Sequence, residues 1–381
     1  MISGLAVELH VAEYFAGIGL ARIGFEQAGL RVSWSNDISA KKHDMFRMHF
    51  RDTLADHTYH LGDLQHVDVA SMPSRVDVAW ASFPCTDLSL AGGRGGLSTG
   101  SSAAFWFFVR NLSQLGSAKP RAVALENVTG FVSSRAGRDI RQAIRALNGL
   151  GYSVDVLNID ARHFVPQSRP RLFLVGVLGS AENDPTPSVL RPPWLDSIFN
   201  DPTLQTHRAP LPEIPSLKTN GFSAIADRIR SKDERWWSAD RVADFRNSLS
   251  PLQSERLDAL AELRVMSYRT AFRRMRNGKP RWEVRADDIA GCLRTARGGS
   301  SRQAVVVAGR GTIRARWMTT REYAKLMGAP DYKIGGISDY AAYSGFGDAV
   351  CVPVVRWLAE NCLVPAVKTS MREQTTLGYA S

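Results

Sequence analysis

The stretch VDVAWASFPC, residues 76 to 85, decides the fold, because a nearly continuous apolar run ends there at a proline and a cysteine. Runs of this kind are typical of parallel strands that are covered on both faces. Open α/β sheets bind their ligands in the crevice outside the carboxyl ends of such strands. The position therefore suits Cys85 as a nucleophile, although a cysteine at the end of a strand is more often inert packing.

Apolar stretches of similar length alternate with helical patterns through the first 178 residues. Further strands are predicted near residues 9–15, 32–34, 122–125, 154–159 and 172–178, and helices near residues 20–28, 104–115 and 140–147. Such alternation is typical of a mostly parallel sheet with helices on both faces. The sequence therefore predicts a doubly wound α/β fold.

The character of the sequence changes after residue 178. Residues 179 to 215 are rich in proline, aspartate, serine and asparagine and keep no periodicity for long, as in a linker or an irregular surface segment. Regular structure is predicted again as a short strand at 304–308, a helix that begins at Thr319 or Thr320, and an apolar helical segment at 349–358.

These changes divide the chain into two predicted domains. Residues up to 178 are expected to form one domain, and a second, more irregular region is expected to follow the segment at 179–215. The tail from Lys368 onward is polar and is expected to be disordered.

The chain is basic, with a formal net charge of +11 over 381 residues, which suggests a polyanionic partner such as nucleic acid. Between Arg264 and Arg314 there are 13 lysines and arginines but three acids, and Tyr268, Phe272 and Trp282 interleave with them. Basic runs are often solvated surface, but interleaved aromatic groups favour a surface that tracks phosphates. The N-terminus has no basic leader before a long apolar run, so we expect a cytoplasmic protein without a membrane segment.

The cysteines, at positions 85, 292, 351 and 362, form no CxxC pair and no cluster with metal-ligand spacing. This argues against a disulfide framework and against a structural metal. We interpret all four as reduced thiols.

A nucleoside site is indicated at the ends of the first three strands. FAGIGL, residues 15 to 20, follows the first strand, and its glycines allow a tight turn onto the start of a helix. Arg22 stands where the dinucleotide fingerprint requires glycine, which disfavours a pyrophosphate. Asp37 ends the second strand, where an acid can hydrogen-bond ribose hydroxyls, and Asp63 ends the third.

Two further strand ends carry groups that suit acid and electrophile chemistry. Glu126 follows the apolar run VAL, where desolvation raises a carboxyl pKa toward the range useful for proton donation, although a helix cap or a turn acid is the simpler interpretation. Arg169 and Arg171 alternate in QSRPR, residues 167 to 171, and are expected to project to one side. They suit a carbonyl or phosphate oxygen, or a structural ion pair.

A cysteine, a glutamate and an arginine at three strand ends suit a target with an electrophilic carbon, a ring nitrogen and a carbonyl, as in cytosine. With these residues the chain resembles the bacterial DNA (cytosine-5)-methyltransferases, from Glu13 to about Leu358. The resemblance rests on FAGIGL, Asp37, Gly62-Asp63, Pro84-Cys85, ENV at 126–128, QSRPR at 167–171, RWMTTREYAKLMGAP at 316–330 and GDAV at 347–350.

The resemblance implies a Rossmann-like methyltransferase domain at 1–178 and 340–381, and a target-recognition domain at 179–339. It implies S-adenosylmethionine as cofactor and S-adenosylhomocysteine as product, with no metal. The implied cofactor contacts are Phe15, Ala16, Gly17, Gly19, Leu20, Asp37, Ile38, Asp63, Leu64, Pro84, Asp348 and Ala349. The implied catalytic residues are Cys85, Glu126, Arg169 and Arg171, and the implied DNA contacts are Gln167, Arg273, Arg274, Arg294, Thr295 and Arg297.

The resemblance further implies that the enzyme flips a cytosine out of duplex DNA and attacks its C6 with Cys85, so that C5 takes the methyl group. A monomer at the nucleoid is expected, as an orphan enzyme or with a cognate restriction endonuclease as a functional partner. Two positions depart from the family, Asp348 in place of asparagine and Cys292 in place of threonine. A cytosine methyltransferase for RNA and a non-catalytic nucleic-acid-binding protein stay open as alternatives.

Overall fold

The computed structural model describes residues 8–84, 96–98, 100–179, 181–276, 278–295 and 302–378. The chain divides into two compact units. Unit 1 comprises Met1–Ile159, Pro170–Ile214 and Val352–Ser381, and unit 2 comprises Asp160–Arg169 and Pro215–Cys351. These limits differ from the predicted boundaries at 178 and 340, because the irregular segment up to Ile214 groups with unit 1 and the segment up to Cys351 with unit 2.

A seven-stranded sheet forms the centre of unit 1. Its strands are β1 (His10–Tyr14), β2 (Arg31–Asp37), β3 (Thr58–Leu61), β4 (Val78–Ala81), β5 (Ala122–Val128), β6 (Tyr152–Asp160) and β7 (Pro170–Leu178). Their order is β3-β2-β1-β4-β5-β7-β6. The pairs from β3 to β5 are parallel, whereas β7 runs antiparallel to β5. The predicted doubly wound, mostly parallel fold is confirmed.

Helices of unit 1 pack against this sheet through their apolar faces. They are α1 (Leu20–Gln27), α2 (Ala40–Phe50), α3 (Ala104–Gln114), α4 (Arg138–Gly149) and α5 (Asp196–Phe199). Phe108 of α3 lies edge-on to Tyr14 of β1, with 4.9 Å between the ring centroids. Ile140, Ile144 and Leu147 of α4 are fully buried in the same core. The predicted helices therefore form where their apolar spacing indicated.

The segment after β7 joins unit 1 because it extends along β6. The amide of Asn158 donates to the carbonyl of Leu190 over 2.8 Å, and the amide of Val154 donates to Gln205 over 3.0 Å. Arg191 forms an almost fully buried ion pair with Asp155, 2.5 Å long. A segment without periodicity is thus held by long-range contacts.

The chain returns to unit 1 after Cys351. Unit 2 contains the helices α6 (Phe222–Ile225), α7 (Ala239–Asn247), α8 (Pro251–Ala261), α9 (Thr320–Leu326) and α10 (Asp339–Asp348). After Cys351, unit 1 continues with α11 (Val352–Leu358) and α12 (Val364–Gly378). A Cβ on Gly24 of α1 would lie 2.7 Å from the Val355 Cβ, so α1 and α11 are in close contact. The expected disorder of the tail is wrong as far as Gly378, because α12 extends through it.

The helical stretch Asp339–Arg372 is long and apolar enough to cross a membrane by length and composition, with a mean hydropathy of 1.4 over a window of 18 residues. Of that window, 61% is buried inside the protein, as in the core helix of a globular protein. The burial of Val352, Val355 and Leu358 explains the apolar composition, because these side chains contribute to the core.

Unit 2 is built on a four-stranded antiparallel sheet. Its strands are β8 (Ser267–Arg276), β9 (Lys279–Val284), β10 (Ala304–Gly309) and β11 (Thr312–Trp317), in the order β11-β10-β8-β9. Phe245 and Leu249 at α7 and Leu257 of α8 pack with Val306 and Ala315 in a second core. The sequence predicted β10 and α9, and Thr319 with Glu322 forms a capping box at α9. It did not predict the β8–β9 hairpin within the basic stretch.

Candidate active site

The turn after β1 is shaped by backbone conformations that favour glycine. Gly17 and Gly19 have φ of +59° and +81°, and Phe15 also lies in this left-handed region at +58°. A Cβ on Gly19 would lie 2.5 Å from the Phe50 ring, so glycine is required there for packing. Among the residues that the structure describes, a Cβ on Gly17 would meet a single neighbour, the Lys42 Cδ at 4.0 Å, so these residues leave space for a ligand beside the turn.

Asp37 connects the turn to the end of β2. Its Oδ2 accepts a hydrogen bond from the amide of Gly17, and its Oδ1 accepts one from the amide of Ser39, both 2.8 Å long. Asn36 donates from Nδ2 to the carbonyls of His60 and Gly62 over 2.9 Å, which brings the end of β3 alongside. The carboxyl ends of the first three strands therefore meet at one edge of the sheet.

The remaining candidates at this edge differ in exposure. Ile38, directly after Asp37, is 69% exposed, although it is a large apolar side chain. Asp63 is partly buried and accepts a hydrogen bond from the Gln65 amide over 2.8 Å, whereas Leu64 is buried. An exposed apolar side chain and carboxylates at the same edge of the sheet suit a ligand with a flat apolar face and hydroxyl groups.

A buried polar network next to this turn was missed by the sequence reasoning. The Ser35 hydroxyl donates to Glu13 Oε2 over 3.2 Å and lies 3.0 Å from Nε2 of His57. Burial raises the pKa of Glu13 to about 8, and burial together with the Arg22 charge lowers the pKa of His57 to about 3. The guanidinium of Arg22 lies 4.3 Å from the centre of the Phe50 ring. The side chain at the position where the dinucleotide fingerprint has glycine therefore packs inside the fold.

We expect Glu13 to make the protein less stable as the pH rises. Its pKa is about 8 in the folded chain and about 4.5 in the unfolded chain, so the folded state binds the extra proton between these values. Over that window the free energy of unfolding falls by roughly 1.4 kcal/mol per pH unit relative to a Glu13→Gln variant. Thermal unfolding of both proteins from pH 5 to 9 measures the difference, and parallel pH profiles would contradict the expectation.

The second edge of the candidate site lies at the ends of β4 and β5. Glu126 Oε1 is 3.0 Å from Arg171 Nε, and the two side chains are 10% and 17% exposed. Asn127 donates from Nδ2 to the Phe83 carbonyl over 3.1 Å, and the Ser102 hydroxyl donates to the Pro84 carbonyl over 3.0 Å. Cys85 itself lies outside the described residues.

Arg169 and Arg171, which the sequence predicted to project to one side, have different partners in the structure. Arg171 belongs to unit 1 with Glu126, whereas Arg169 belongs to unit 2. The buried guanidinium of Arg169 donates to the carbonyls of Leu293 (2.8 Å) and Ala349 (2.6 Å). These bonds join two segments of unit 2, which is a structural contribution that no local pattern reveals.

Gln167 is fully buried in unit 2. Its Nε2 donates to the Leu326 carbonyl over 2.8 Å, and its Oε1 accepts from the Leu293 amide over 3.0 Å. Because both ends of the amide are used inside the unit, this geometry gives no support to the expectation that Gln167 contacts DNA.

The closing motif GDAV also lies in unit 2. A Cβ on Gly347 would overlap the backbone of Arg294, so the two segments are in direct contact there. Thr295 donates from its hydroxyl to the exposed carboxylate of Asp348, the position that departs from the family. Arg294 is exposed, and Arg297 lies outside the described residues.

The predicted contacts on the β8–β9 hairpin have different environments. Arg274 is exposed and lies 3.5 Å from Glu283. Arg273 is partly buried, with its guanidinium 5.4 Å from the centre of the Trp282 ring.

Comparison with known proteins shows the family. A model described as C-5 cytosine-specific DNA methylase matches residues 9–363. The chain belongs to this family. It is 25% identical to the type II methyltransferase M.Bsp6I of Bacillus sp. (strain RFL6), over 93% of this chain and 98% of that one. It is 27% identical to the type II methyltransferase M.HpaII of Haemophilus parainfluenzae, over 92% and 88% of the two chains.

Solved structures of methyltransferases share the fold of this methylase. The Entamoeba histolytica methyltransferase EhMeth gives a TM-score of 0.61 at 14% identity, covering 96% of this chain and 99% of that one. The S. pombe Dnmt2 methyltransferase gives 0.58 at 15% identity, covering 94% and 99%. The expected resemblance to cytosine-5 methyltransferases is thereby confirmed at the level of fold and family.

Proposed function

We propose that this methylase transfers a methyl group from S-adenosylmethionine to C5 of a cytosine that is flipped out of duplex DNA. The observation that carries the proposal is the Glu126–Arg171 ion pair at the end of β5, which pairs with β4, the strand that leads to Pro84 and Cys85. Extruding a base costs a few kcal/mol of stacking and pairing, which basic side chains on the flanking phosphates offset.

The residues at the first edge fit the proposed cofactor. S-adenosylmethionine, when bound, supplies the methyl group that C5 receives. The amides of Gly17 and Ser39 fix Asp37 beside the turn, where its carboxylate would accept hydrogen bonds from ribose hydroxyls. Ile38 would cover one face of the adenine, and Asp63 would lie near its amino group, while the open space beside Gly17 would admit the amino-acid part.

Cys85 begins the proposed chemistry as a thiolate whose sulfur forms a bond to C6 of the cytosine. Glu126 donates a proton or hydrogen bond to N3, and Arg171 donates hydrogen bonds to the O2 carbonyl, so the electron pair of the 5,6 double bond moves to C5. After C5 has gained the methyl group, its proton leaves to water. The sulfur–C6 bond then breaks, which restores the 5,6 double bond and frees the thiolate, and any proton on N3 returns to Glu126.

Neighbouring side chains support this assignment by fixing the backbone before Cys85. Asn127 binds the carbonyl of Phe83, and the buried Ser102 binds that of Pro84. The ion pair between Glu126 and Arg171 orients both groups toward the same edge. Such preorganisation is worth most where charge develops during the reaction.

We propose further that unit 1 carries the chemistry and that unit 2 recognises the target sequence. Arg273, Arg274, Arg294, Thr295 and Arg297 are the proposed DNA contacts of unit 2. The enzyme would act as a monomer in the cytoplasm, either as an orphan or as the protective partner of a restriction endonuclease. The names of the type II relatives support the second arrangement.

Labelled methyl transfer tests the proposed substrate. The full chain is incubated with S-adenosylmethionine carrying a tritiated methyl group, and with either genomic DNA or tRNA. We expect label in DNA, recovered as 5-methylcytosine, because the proposed site takes a cytosine from a duplex. Label confined to tRNA would contradict the proposal in favour of an RNA methyltransferase.

A further inference from the structure

Unit 2 presents a cluster of three tryptophans on its sheet and on the segment that leads into α7. Trp237 lies 5.2 Å from Trp317 and 5.5 Å from Trp282, measured between ring centroids, and Trp282 lies 5.7 Å from Trp317. Phe245 packs edge-on below them, 5.9 Å from Trp237. This tryptophan cluster is a rigid platform, because each ring is held by at least two others.

Three arginines from separate parts of unit 2 surround this platform. The Arg241 guanidinium lies 4.4 Å from the centre of the Trp237 ring and 5.0 Å from that of Trp317. The guanidiniums of Arg273 and Arg302 lie 5.9 and 5.2 Å from the centre of the same Trp317 ring. We call these side chains the arginine triad.

The arginine triad concentrates positive charge. Among the described residues, no carboxylate forms an ion pair with Arg241 or Arg302, although Asp240 and Asp244 share α7 with Arg241. Burial and the charges of Arg273 and Arg302 lower the pKa of Arg241. Arg302 donates to the neutral hydroxyl of Tyr343 over 2.5 Å, which orients the guanidinium without balancing its charge.

Other arginines of unit 2 differ in this respect. Arg246, on the same helix as Arg241, lies 2.6 Å from Asp258, and Arg276 lies 2.6 Å from Glu283. Helix α7 thus pairs Arg246 with an acid but places Arg241 near two other guanidiniums. This concentration of positive charge favours the binding of an external anion at Arg241.

We propose that the arginine triad binds a phosphodiester group of the DNA backbone. This inference rests on the proposed function and adds Arg241 and Arg302 to its DNA surface. Guanidiniums that lie over indole rings can still donate N–H groups at their edges, and phosphate oxygens accept such groups from several arginines together. A guanine edge is read by one arginine fork, so the convergence of three arginines favours phosphate over base recognition.

Binding of labelled duplexes at several salt concentrations tests the inference. Fluorescence anisotropy of the full chain is measured with a duplex that contains cytosines and with one of A·T pairs alone. We expect Arg241→Gln and Arg302→Gln each to weaken binding of both duplexes, roughly tenfold at low salt. Each substitution should also reduce the slope of log K against log salt by about 1.

Arg246→Gln is the matched control, because it removes the same charge from the same helix at a position that has an acid partner. We expect it to leave affinity within about twofold, as for most exposed ion pairs. The inference is overturned if Arg241→Gln behaves like this control, if the loss is confined to the duplex with cytosines, or if it is confined to binding of tRNA.

Two further results keep the interpretation clear. If Arg302→Gln lowers the melting temperature, Arg241→Gln decides the question, because Arg241 is exposed whereas Arg302 is partly buried. Methylation of DNA with no effect of Arg241→Gln on binding overturns the arginine triad and leaves the proposed function intact. If the wild type methylates no cytosine but Arg241→Gln still weakens duplex binding, the arginine triad is supported and the proposed function is contradicted.

Discussion

Cys85→Ser is expected to lose methyl transfer by more than about 10⁴-fold, as when other enzymes lose their nucleophile. A serine hydroxyl is a far weaker nucleophile than a thiolate, and the proposed chemistry assigns no base that would activate it. Binding of S-adenosylmethionine should be retained, because the turn at Gly17 and Asp37 is unaffected. Steady-state methyl transfer and equilibrium cofactor binding measure the two effects separately.

The matched control is Cys362→Ala. Burial raises the pKa of the Cys362 thiol, so this cysteine stays protonated and unreactive, and its loss should leave methyl transfer close to that of the wild type. A duplex with 5-fluorocytosine at the target should trap the wild type as a denaturant-resistant adduct, because fluorine cannot leave C5 as a proton does. Full activity of Cys85→Ser would contradict the covalent mechanism.

Glu126→Gln is expected to lower kcat by about 10² to 10⁴-fold, the usual contribution of a general acid. Glutamine cannot protonate N3, and it leaves Arg171 without the carboxylate that lies 3.0 Å away. Binding of DNA should change far less than kcat, because the proposed phosphate contacts lie in unit 2. Single-turnover methyl transfer with saturating DNA measures the chemical step.

Asp155→Asn controls for the loss of a buried ion pair. Asp155 is paired with Arg191 over 2.5 Å in unit 1, so its replacement should destabilise the fold by roughly 3 to 5 kcal/mol while kcat stays near the wild-type value. A similar fall in kcat in both variants would assign Glu126 a structural contribution and contradict its role as a proton donor.

Local patterns predicted most of unit 1. β1, α1, β2, β5 and α4 follow from apolar periodicity, and the end of each strand places its polar residues at the same edge. The turn chemistry of Gly17 and Gly19 was also visible, because a left-handed backbone between a strand and a helix favours glycine.

Features that depend on distant partners could not be predicted. Arg169 is separated by more than 100 residues from the carbonyls that it binds, so its contribution to unit 2 has no local signal. The antiparallel direction of β7 and the attachment of the segment after it to β6 are likewise long-range. Arg241 lies outside the basic stretch, and only the packing of Trp237 on Trp317 brings it close to Arg273 and Arg302.

The measurement that tests the central claim most directly is bisulfite sequencing of DNA from cells that express the chain and have no cytosine-5 methylation of their own. The account predicts that cytosines within one recurring duplex sequence resist conversion in cells with the wild type, and that they are converted in cells with Cys85→Ser. Equal conversion in both would contradict the account.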